Sequence, residues 1–455
     1  MKSHRHPRTA ILLAAVTLFA ASCGGGSDDT SNGSASTDGP DASAEPDTTD
    51  PAPDVTNGDG TTAPDTDDTA GGDDGGSGDE GFAALGPPSG EPIVIGMVNT
   101  EGTPGLDFPE MRTDTDLAVD YLNEHGGLGG RPVQLEHCAS SGSPETSQAC
   151  AQELSGKGVE LTMLGLDLFP GYDTFAAADI PVVGALPILP ADYTADALFM
   201  TGGNLTTMGA IVALTVEHFG ASSVGIISAD NAGANGSEQA LTAALDKAGV
   251  THKSVKGGDN ETDAGFQGLI REANSDDPDV LVSLYSDAGC IGAMRGRVSL
   301  GIDTPVISTA ICGSGEVIDV VGDDALGWSF VGVGGPTDTP DADAMAVLIE
   351  PAYGDASSSS LGLGALGINN LMSLAKVANS VAAAGGEVTG ASIYEHLATA
   401  TDQVDFLNGS PLGCGTAAAY PSVCSFYFPI GEYVAGGEIQ VIPGFEAVSV
   451  IDYLP

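Results

Sequence analysis

The sequence predicts an α/β protein with two doubly wound parallel-sheet lobes, preceded by a disordered acidic linker. Three observations lead to this prediction. First, a linker-like composition ends near residue 92. Second, short apolar runs then alternate with segments in which apolar residues recur with helical period. Third, this alternation forms two successive series that divide near residue 203. Strands that alternate with helices are typical of parallel sheets covered by helices on both faces.

The first 22 residues have the features of a secretory signal. Lys2, Arg5 and Arg8 precede an apolar run over residues 10–21, which is too short to span a bilayer as a helix. The following LFAASC stretch resembles a bacterial lipobox, and that resemblance implies cleavage before Cys23 and lipid modification of its thiol. The alternative is an ordinary signal with a coincidental cysteine. We expect Cys23 to be the only membrane anchor, on the outer face of the cell membrane.

Residues 24–92 hold 17 acidic side chains, no Lys or Arg, and one aromatic residue, Phe82. Such a composition cannot bury enough apolar surface to offset the entropy of ordering, so we expect residues 23–91 to be a disordered tether. An independent binding tail is the alternative. Residues 93–455 carry 46 acidic and 10 basic side chains, a net charge of −36. This charge excludes a general affinity for nucleic acid and favours a monomer.

The first series begins with IVIGMV at residues 93–98, a continuous apolar run that predicts a strand covered on both faces. A helix is predicted over 109–125, where Gly126 and Gly127 end it. The remaining elements of this series follow the same alternation: strands at 133–137, 159–165, 181–186 and 198–202, and helices at 146–155 and 174–178.

The second series repeats this alternation after Gly203. Its predicted elements are helices at 208–219, 237–248, 266–273 and 291–299, and strands at 224–228, 251–255, 280–285 and 306–309. The chain then continues with helices at 368–384 and 393–399, and a strand-rich end begins at Phe426. A tail that returns after the second series indicates a hinge crossed several times by the chain.

Six cysteines remain when Cys23 is set aside: Cys138, Cys150, Cys290, Cys312, Cys414 and Cys424. The sequence leaves many pairings open, although nearest-neighbour pairing would close short loops within single supersecondary units. Disulfides suit an oxidising exterior. Metal binding is the competing interpretation, and it is disfavoured because no pair has CxxC spacing and no histidine is adjacent.

Residue patterns that resemble catalytic or cofactor motifs stand in contexts that do not support such sites. The GxGxxG match at residues 362–367 follows a serine run instead of a strand, so it does not predict a dinucleotide site. The segment 259–265 lacks the full calcium-loop spacing, and Asp341 and Asp343 are expected near the start of a helix. No nucleophile–base pair can be named. We therefore expect neither catalysis, nor a cofactor, nor a metal.

One family resemblance is carried by IVIG at residues 93–96 and AVDYLNEHGGLGGRPV at 118–133. These segments resemble the opening of type I periplasmic substrate-binding proteins, in particular the branched-chain amino acid/amide group of ABC importers. VGII at 224–227, DVLV at 279–282 and the turn at 276–278 occupy the positions that the resemblance implies. The likeness covers about residues 92–455 and becomes weaker after Pro336.

The resemblance implies two lobes joined by three crossovers that close over a ligand as a hinge. It assigns residues 92–203 and 334–428 to the first lobe and 204–333 and 429–455 to the second. The implied partners are a small-molecule ligand and the permease subunits of an ABC importer. A bridge between Cys138 and Cys150 is also implied.

The expected binding loops depart from the family pattern. The loops after the third and fourth strands, LDLFPGY at 166–172 and ALPILP at 185–190, lack the hydroxyl cluster that holds an amino-acid carboxylate in this group. Ala232 and Ala310 stand where a Tyr and a Glu are often used. We therefore expect a neutral or cationic ligand with an apolar portion, and not a simple aliphatic amino acid.

A cleft in this fold lies at the carboxyl ends of the strands. The predicted ligand-binding residues are Asp107, Phe108, Phe169, Tyr172 and Pro187 in the first lobe and Asn231, Asp287 and Ala310 in the second. Each aromatic could instead pack in the hinge or core, and each acid could be a solvated loop residue. The leading functional hypothesis is a lipid-anchored solute-binding protein of an importer; the alternatives are a ligand sensor for a membrane receptor and a surface enzyme.

Overall fold

The computed structural model describes residues 81–82, 85–103, 107–333, 338–354 and 361–454. The first lobe is built on a five-stranded, fully parallel sheet with the order β2-β1-β3-β4-β5. Its strands are β1 (Ile93–Thr100), β2 (Val133–Ser140), β3 (Leu161–Leu164), β4 (Val182–Gly184) and β5 (Leu198–Phe199). The helices within this stretch are α1 (Pro109–Glu124), α2 (Pro144–Gly156) and α3 (Tyr172–Ala177).

The sheet is buried because helices cover both of its faces. Ile93 and Ile95 of β1 pack in one apolar cluster with α1, whereas Val98 packs in a second cluster with α2 and α3. The turn after α1 requires glycine at residue 127, which has φ of +61° and whose added Cβ would lie 2.0 Å from the carbonyl oxygen of Arg131. The sequence motif at residues 126–133 therefore shapes a tight return into β2.

The second lobe is built on a seven-stranded sheet with the order β15-β14-β10-β9-β8-β6-β7. Its parallel strands are β6 (Ser223–Ala229), β7 (Thr251–Gly257), β8 (Val280–Leu284), β9 (Val306–Thr309) and β10 (Trp328–Val331). The helices of this stretch are α4 (Gly203–Ala213), α5 (Ala232–Ala248), α6 (Asp263–Ala273), α7 (Asp287–Leu300) and α8 (Gly315–Val321). α4 and α5 pack on one face of the sheet, and α6, α7 and α8 pack on the other.

The last part of the chain returns to both lobes. Helices α9 (Pro340–Tyr353), α10 (Gly364–Ala383) and α11 (Gly390–Thr399) share the hydrophobic cluster of α1 and β1. The short strands β11 (Gln403–Val404), β12 (Pro411–Leu412) and β13 (Tyr427–Phe428) follow. The strands β14 (Ile430–Val434) and β15 (Glu438–Val441) then extend the second sheet: β14 pairs antiparallel with β10, and β15 pairs antiparallel with β14. β16 (Val448–Ser449) pairs with β13. The chain thus passes between the two sheets and the helices packed on them three times: between β5 and β6, between β10 and α9, and between β12 and β13.

These observations confirm the predicted fold class. Asp341 and Asp343 lie in the first turn of α9, as predicted, but α8 and β10 were missed. The assignment of individual residues to each lobe remains a prediction. Among the described residues, no helix is long and apolar enough to cross a membrane.

The three disulfides join nearest neighbours in sequence. The pairs are Cys138–Cys150, Cys290–Cys312 and Cys414–Cys424. The first joins the end of β2 to α2, and the second joins α7 to the loop after β9. The interpretation of these six residues as disulfide-bonded is confirmed.

One expectation about the tether needs correction at its end. Phe82, assigned to the disordered segment, is only 4% exposed and meets the ring of Phe406 edge-on at 6.1 Å between centroids. The amide of Ser89 donates to the carbonyl of Gly130 at 3.0 Å. An aromatic side chain can fasten a short polar stretch to a folded body because it removes a large apolar area from water. Residues 24–80 lie outside the described residues.

Candidate functional site

The carboxyl ends of parallel strands share one edge of a sheet, and in this architecture ligands bind at that edge. In the first lobe the edge is formed by the loops after β1, β3 and β4. In the second lobe it is formed by the loops after β6, β7, β8 and β9. All eight predicted ligand-binding residues lie in these loops or at the helix starts that follow them.

The loop after β1 is organised by Asn99. Its side-chain Nδ2 donates to the carbonyl of Phe108 at 2.7 Å, and its Oδ1 accepts from the amide of Leu166 at 3.0 Å. Phe108 occupies the N-cap position of α1 and packs beside Met97 and Met111. Asp107 is exposed, and its Oδ1 accepts from the amide of Gly102 at 2.8 Å. Asn99 therefore couples the loops after β1 and β3.

The loop after β4 is held by a buried acid that the sequence analysis did not single out. Asp192 is 3% exposed and accepts hydrogen bonds from the amides of Ile188 and Leu189, at 2.9 and 2.7 Å, and from the hydroxyl of Tyr172 at 2.8 Å. Burial and the carboxylate of Asp192 raise the pKa of Tyr172 well above its ordinary value. The Tyr172 hydroxyl is thus a donor committed to Asp192, and only its ring remains for a ligand.

A second buried acid lies after β3. Asp167 is 2% exposed, its Oδ1 accepts from the hydroxyl of Ser147, and its Oδ2 has no hydrogen-bond partner among the described residues. Burial raises the pKa of this carboxyl, although the hydrogen bond from Ser147 opposes the shift. Neither Asp167 nor Asp192 carries a local sequence motif, so only the packing identifies them.

The loops that carry these buried acids are rich in partly exposed apolar side chains. Six of them follow β3 and β4: Leu168, Phe169, Pro170, Leu186, Ile188 and Leu189. Pro187 is buried, and its carbonyl oxygen would lie 2.6 Å from a Cβ added to Gly203. We call the six partly exposed residues, without Pro187, the apolar wall. It offers contact area for an apolar group.

The edge of the second lobe has a different composition. Asp230, Asp259 and Asp287 follow β6, β7 and β8 and are all exposed. We call these three residues the acidic rim. Asn231 lies between the first two: its Oδ1 caps α5 by accepting from the amide of Ala234 at 2.9 Å, and its Nδ2 donates to Asp259 Oδ1 at 2.6 Å. Asn231 therefore positions the rim and also begins the helix.

Asp287 has a backbone conformation that few side chains adopt. Its φ is +44°, in the left-handed region, where Asp and Asn are tolerated better than other non-glycine residues. The disulfide between Cys290 and Cys312 links the start of α7, which carries Asp287, to the loop that carries Ala310. Ala310 is partly exposed beside Ile311, which is 51% exposed. The rim is thus fastened on one side by a covalent bond.

Two basic side chains of the described residues lie at these edges, and both are engaged. Arg112 in the first turn of α1 pairs with Glu101 at 3.2 Å and with Asp116 at 3.3 Å. Lys256 donates to Asn235 Oδ1 at 2.6 Å and pairs with Glu238 at 3.3 Å. Among the described residues, no group of three or more His, Cys, Asp or Glu side chains is arranged to hold a metal ion. The site is therefore suited to non-covalent binding by apolar contact and negative charge.

Comparisons with known proteins agree with this architecture. A family model described as periplasmic binding protein matches residues 92–416. A putative branched-chain amino acid ABC transporter from Rhodospirillum rubrum is 17% identical, with a TM-score of 0.60, over 77% of this chain and 100% of that chain. The search of curated proteins gave no match.

Two further structures show the same fold. Leucine binding protein LivK from Thermotoga maritima is 13% identical with a TM-score of 0.56, over 77% of this chain and 97% of that chain. Substrate binding protein LivJ from Streptococcus pneumoniae, solved in complex with isoleucine, is 14% identical with a TM-score of 0.55, over 77% of this chain and 99% of that chain. Since the family model spans well over half of the chain, the chain belongs to the periplasmic binding protein family, and the likeness to these structures shows that it has the type I fold.

Proposed function

We propose that this protein is an extracytoplasmic solute-binding protein, anchored by lipid on Cys23, that delivers a small polar or amphipathic ligand to the permease subunits of an ABC importer. It acts without catalysis. The observation that carries the proposal is the presence of two sheets, one fully parallel and one with five parallel strands, whose carboxyl edges are lined by loops and which the chain connects three times. Such a hinge lets a ligand stabilise a closed form by touching both edges. Cys23 lies outside the described residues.

The proposed contacts are the eight predicted residues. In the first lobe, Phe108 and Phe169 would offer apolar area, Tyr172 would offer its ring, Pro187 would shape the loop and Asp107 would be an acceptor. In the second lobe, Asp287 would be the main acceptor, Asn231 would hold Asp259 in place and Ala310 would leave room for the ligand. The LivJ structure with isoleucine supports an amino-acid-like or amide-like size for the ligand.

Solute binding is tested by thermal unfolding of the full chain carrying Cys23→Ser, which cannot be acylated. The screen covers amino acids, amides, amines, polyamines and aromatic acids. A true ligand at a hundredfold excess over its Kd adds about 2.7 kcal/mol to the free energy of unfolding, so the unfolding temperature should rise. If no solute raises it, the solute-binding proposal is wrong.

Anchoring and delivery need a cellular test. In the cells that make this protein, labelled palmitate should enter the wild type but not the Cys23→Ser variant, and deletion of the protein should abolish uptake of the solute found in the screen. If the deletion strain takes up the solute normally but loses its transcriptional or chemotactic response to it, the transport proposal is wrong. That result would favour the alternative, a ligand sensor for a membrane receptor.

A further inference from the structure

The acidic rim concentrates charge at one place in the second lobe. The strand order β8-β6-β7 puts Asp287, Asp230 and Asp259 at three adjacent strand ends, which lie about 5 Å apart from strand to strand. No ion pair involves any of the three among the described residues. The nearby Lys256 is already engaged by Asn235 and Glu238. Within the described part of the chain, the rim is therefore a patch of negative charge without a basic counter-ion.

A buried polar group beside the rim is also without a partner. Tyr285 follows β8 and is 3% exposed, and its hydroxyl has no hydrogen-bond partner in the described part of the chain. That hydroxyl lies against Gly257, where an added Cβ would be only 2.9 Å from it, directly before the loop that carries Asp259 and Glu261. Burial raises the pKa of Tyr285 to about 12, and the charges of Glu261 and Asp259 add to the shift. The neutral hydroxyl oxygen of Tyr285 therefore lies beside the carboxylates of the rim. Together, a neutral oxygen and several carboxylates are the acceptors that a cationic group needs.

Among the described residues, no unpaired basic side chain lies at this edge of the first lobe to receive an anionic group. Arg112 is paired with Glu101 and Asp116, and the loops that hold the apolar wall also carry the buried acids Asp167 and Asp192. A carboxylate placed between the lobes would meet apolar side chains on one side and three acids on the other. An ammonium group would meet the acids, while its hydrocarbon part could cover the apolar wall.

We infer that the ligand is an organic amine, with a cationic ammonium group at the acidic rim and an apolar body against the apolar wall, and that a free amino-acid carboxylate is disfavoured. This inference rests on the proposed function and names its substrate class. Because attraction to exposed carboxylates is screened by ions, amine affinity should fall as salt concentration rises.

The decisive experiment compares amines with the amino acids that differ from them by one carboxylate. Isothermal titration calorimetry of the full Cys23→Ser chain uses isoamylamine against leucine and phenethylamine against phenylalanine. Each pair keeps the apolar group and the ammonium, so the difference reports the carboxylate alone. We expect at least one amine to bind at least tenfold more tightly than its amino acid.

The variant Asp287→Asn tests the rim. Asparagine tolerates the same left-handed backbone, so the change removes charge without new strain. We expect a roughly tenfold weaker amine Kd and an unchanged unfolding temperature. Asp277→Asn is the matched control, since Asp277 is exposed, has φ of +49° and lies in the same lobe before the amino end of β8. Asp259→Asn provides a second rim variant.

Three outcomes would overturn the inference. If leucine or phenylalanine binds as tightly as its amine, the site accommodates a carboxylate and the amine inference is wrong. The proposal that the protein binds a solute is not affected by that result. If Asp277→Asn weakens amine binding as much as Asp287→Asn does, general surface charge explains the effect. If none of the four compounds binds, the amine assignment is wrong, and the broader thermal screen decides separately whether the protein binds any solute.

Discussion

The two edges that face a ligand in this protein use acidic residues in opposite ways. In the first lobe Asp192 is buried and accepts hydrogen bonds from two backbone amides and a phenol, in a loop with partly exposed apolar side chains. In the second lobe Asp230, Asp259 and Asp287 are exposed and form no ion pair with another described residue. The same residue type therefore shapes a loop in one lobe and presents charge in the other.

This difference predicts that acids of the first lobe contribute mainly to the stability of the fold, whereas acids of the rim contribute mainly to ligand binding. Removing a buried, hydrogen-bonded carboxylate leaves several donors without partners, whereas removing an exposed one changes mainly the electrostatic potential. Substitutions in the first lobe should thus affect folding, and substitutions in the acidic rim should affect the ligand. The following predictions test this division, beginning with the largest expected effect.

Replacement of Asp192 by alanine should be the most damaging change. It leaves the amides of Ile188 and Leu189 and the hydroxyl of Tyr172 without their hydrogen-bond acceptor. We therefore expect a loss of about 4 kcal/mol in the free energy of unfolding. Urea unfolding of the full Cys23→Ser chain measures it. Asp192→Asn is the control, because an amide oxygen can still accept from both backbone amides. Equal losses in the two variants would show that the charge, and not the set of hydrogen bonds, matters.

A buried acid in the first lobe should also make stability depend on pH. Asp405 is 1% exposed, and burial raises its pKa to about 6, although the amide of Asn408 donates to Oδ1 at 2.8 Å and opposes the shift. The folded state then holds a proton that the unfolded state, near 3.8, has released. Stability should therefore fall as pH rises from about 4 to about 6, by about 3 kcal/mol for two pKa units.

Asp405→Asn isolates this contribution because asparagine does not ionise. Urea unfolding at pH 4, 5, 6 and 7 should show the variant gaining about 3 kcal/mol relative to the wild type across that range, with most of the gain between pH 4 and 6. A difference between the two proteins that stays constant with pH would show that Asp405 ionises in the folded state as it does in the unfolded one.

The smallest of these effects should come from Tyr172→Phe. The change removes one donor to Asp192, which keeps its two backbone amides, so we expect a loss of about 1 kcal/mol. The ring remains, and ligand affinity should stay within a factor of two in calorimetry. A tenfold loss of affinity with unchanged stability would mean that the Tyr172 hydroxyl contacts the ligand instead of Asp192.

Much of the fold could be predicted because its signals are local. The apolar run of β1, the glycine turn at residues 126–127 and the helical spacing of α5 follow from neighbouring residues alone. The start of α5 was placed five residues late, at Ser237, since Ala232–Gly236 lacks an apolar face and is held in the helix by the Asn231 cap. Phe82 was assigned to the tether because its partner, Phe406, is more than 300 residues away in sequence.

The sequence by itself determined the class of fold, the family resemblance, the excess of acid and the loops in which a ligand site should lie. Periodicity and turn chemistry depend on residues a few positions apart, so they can be read along the chain. Only the tertiary structure decided which acids are buried and hydrogen-bonded, as Asp167 and Asp192 are, and which stay exposed, as Asp287 does. Burial and hydrogen bonding depend on neighbours brought together by packing, and identical carboxylates acquire different roles through those neighbours alone.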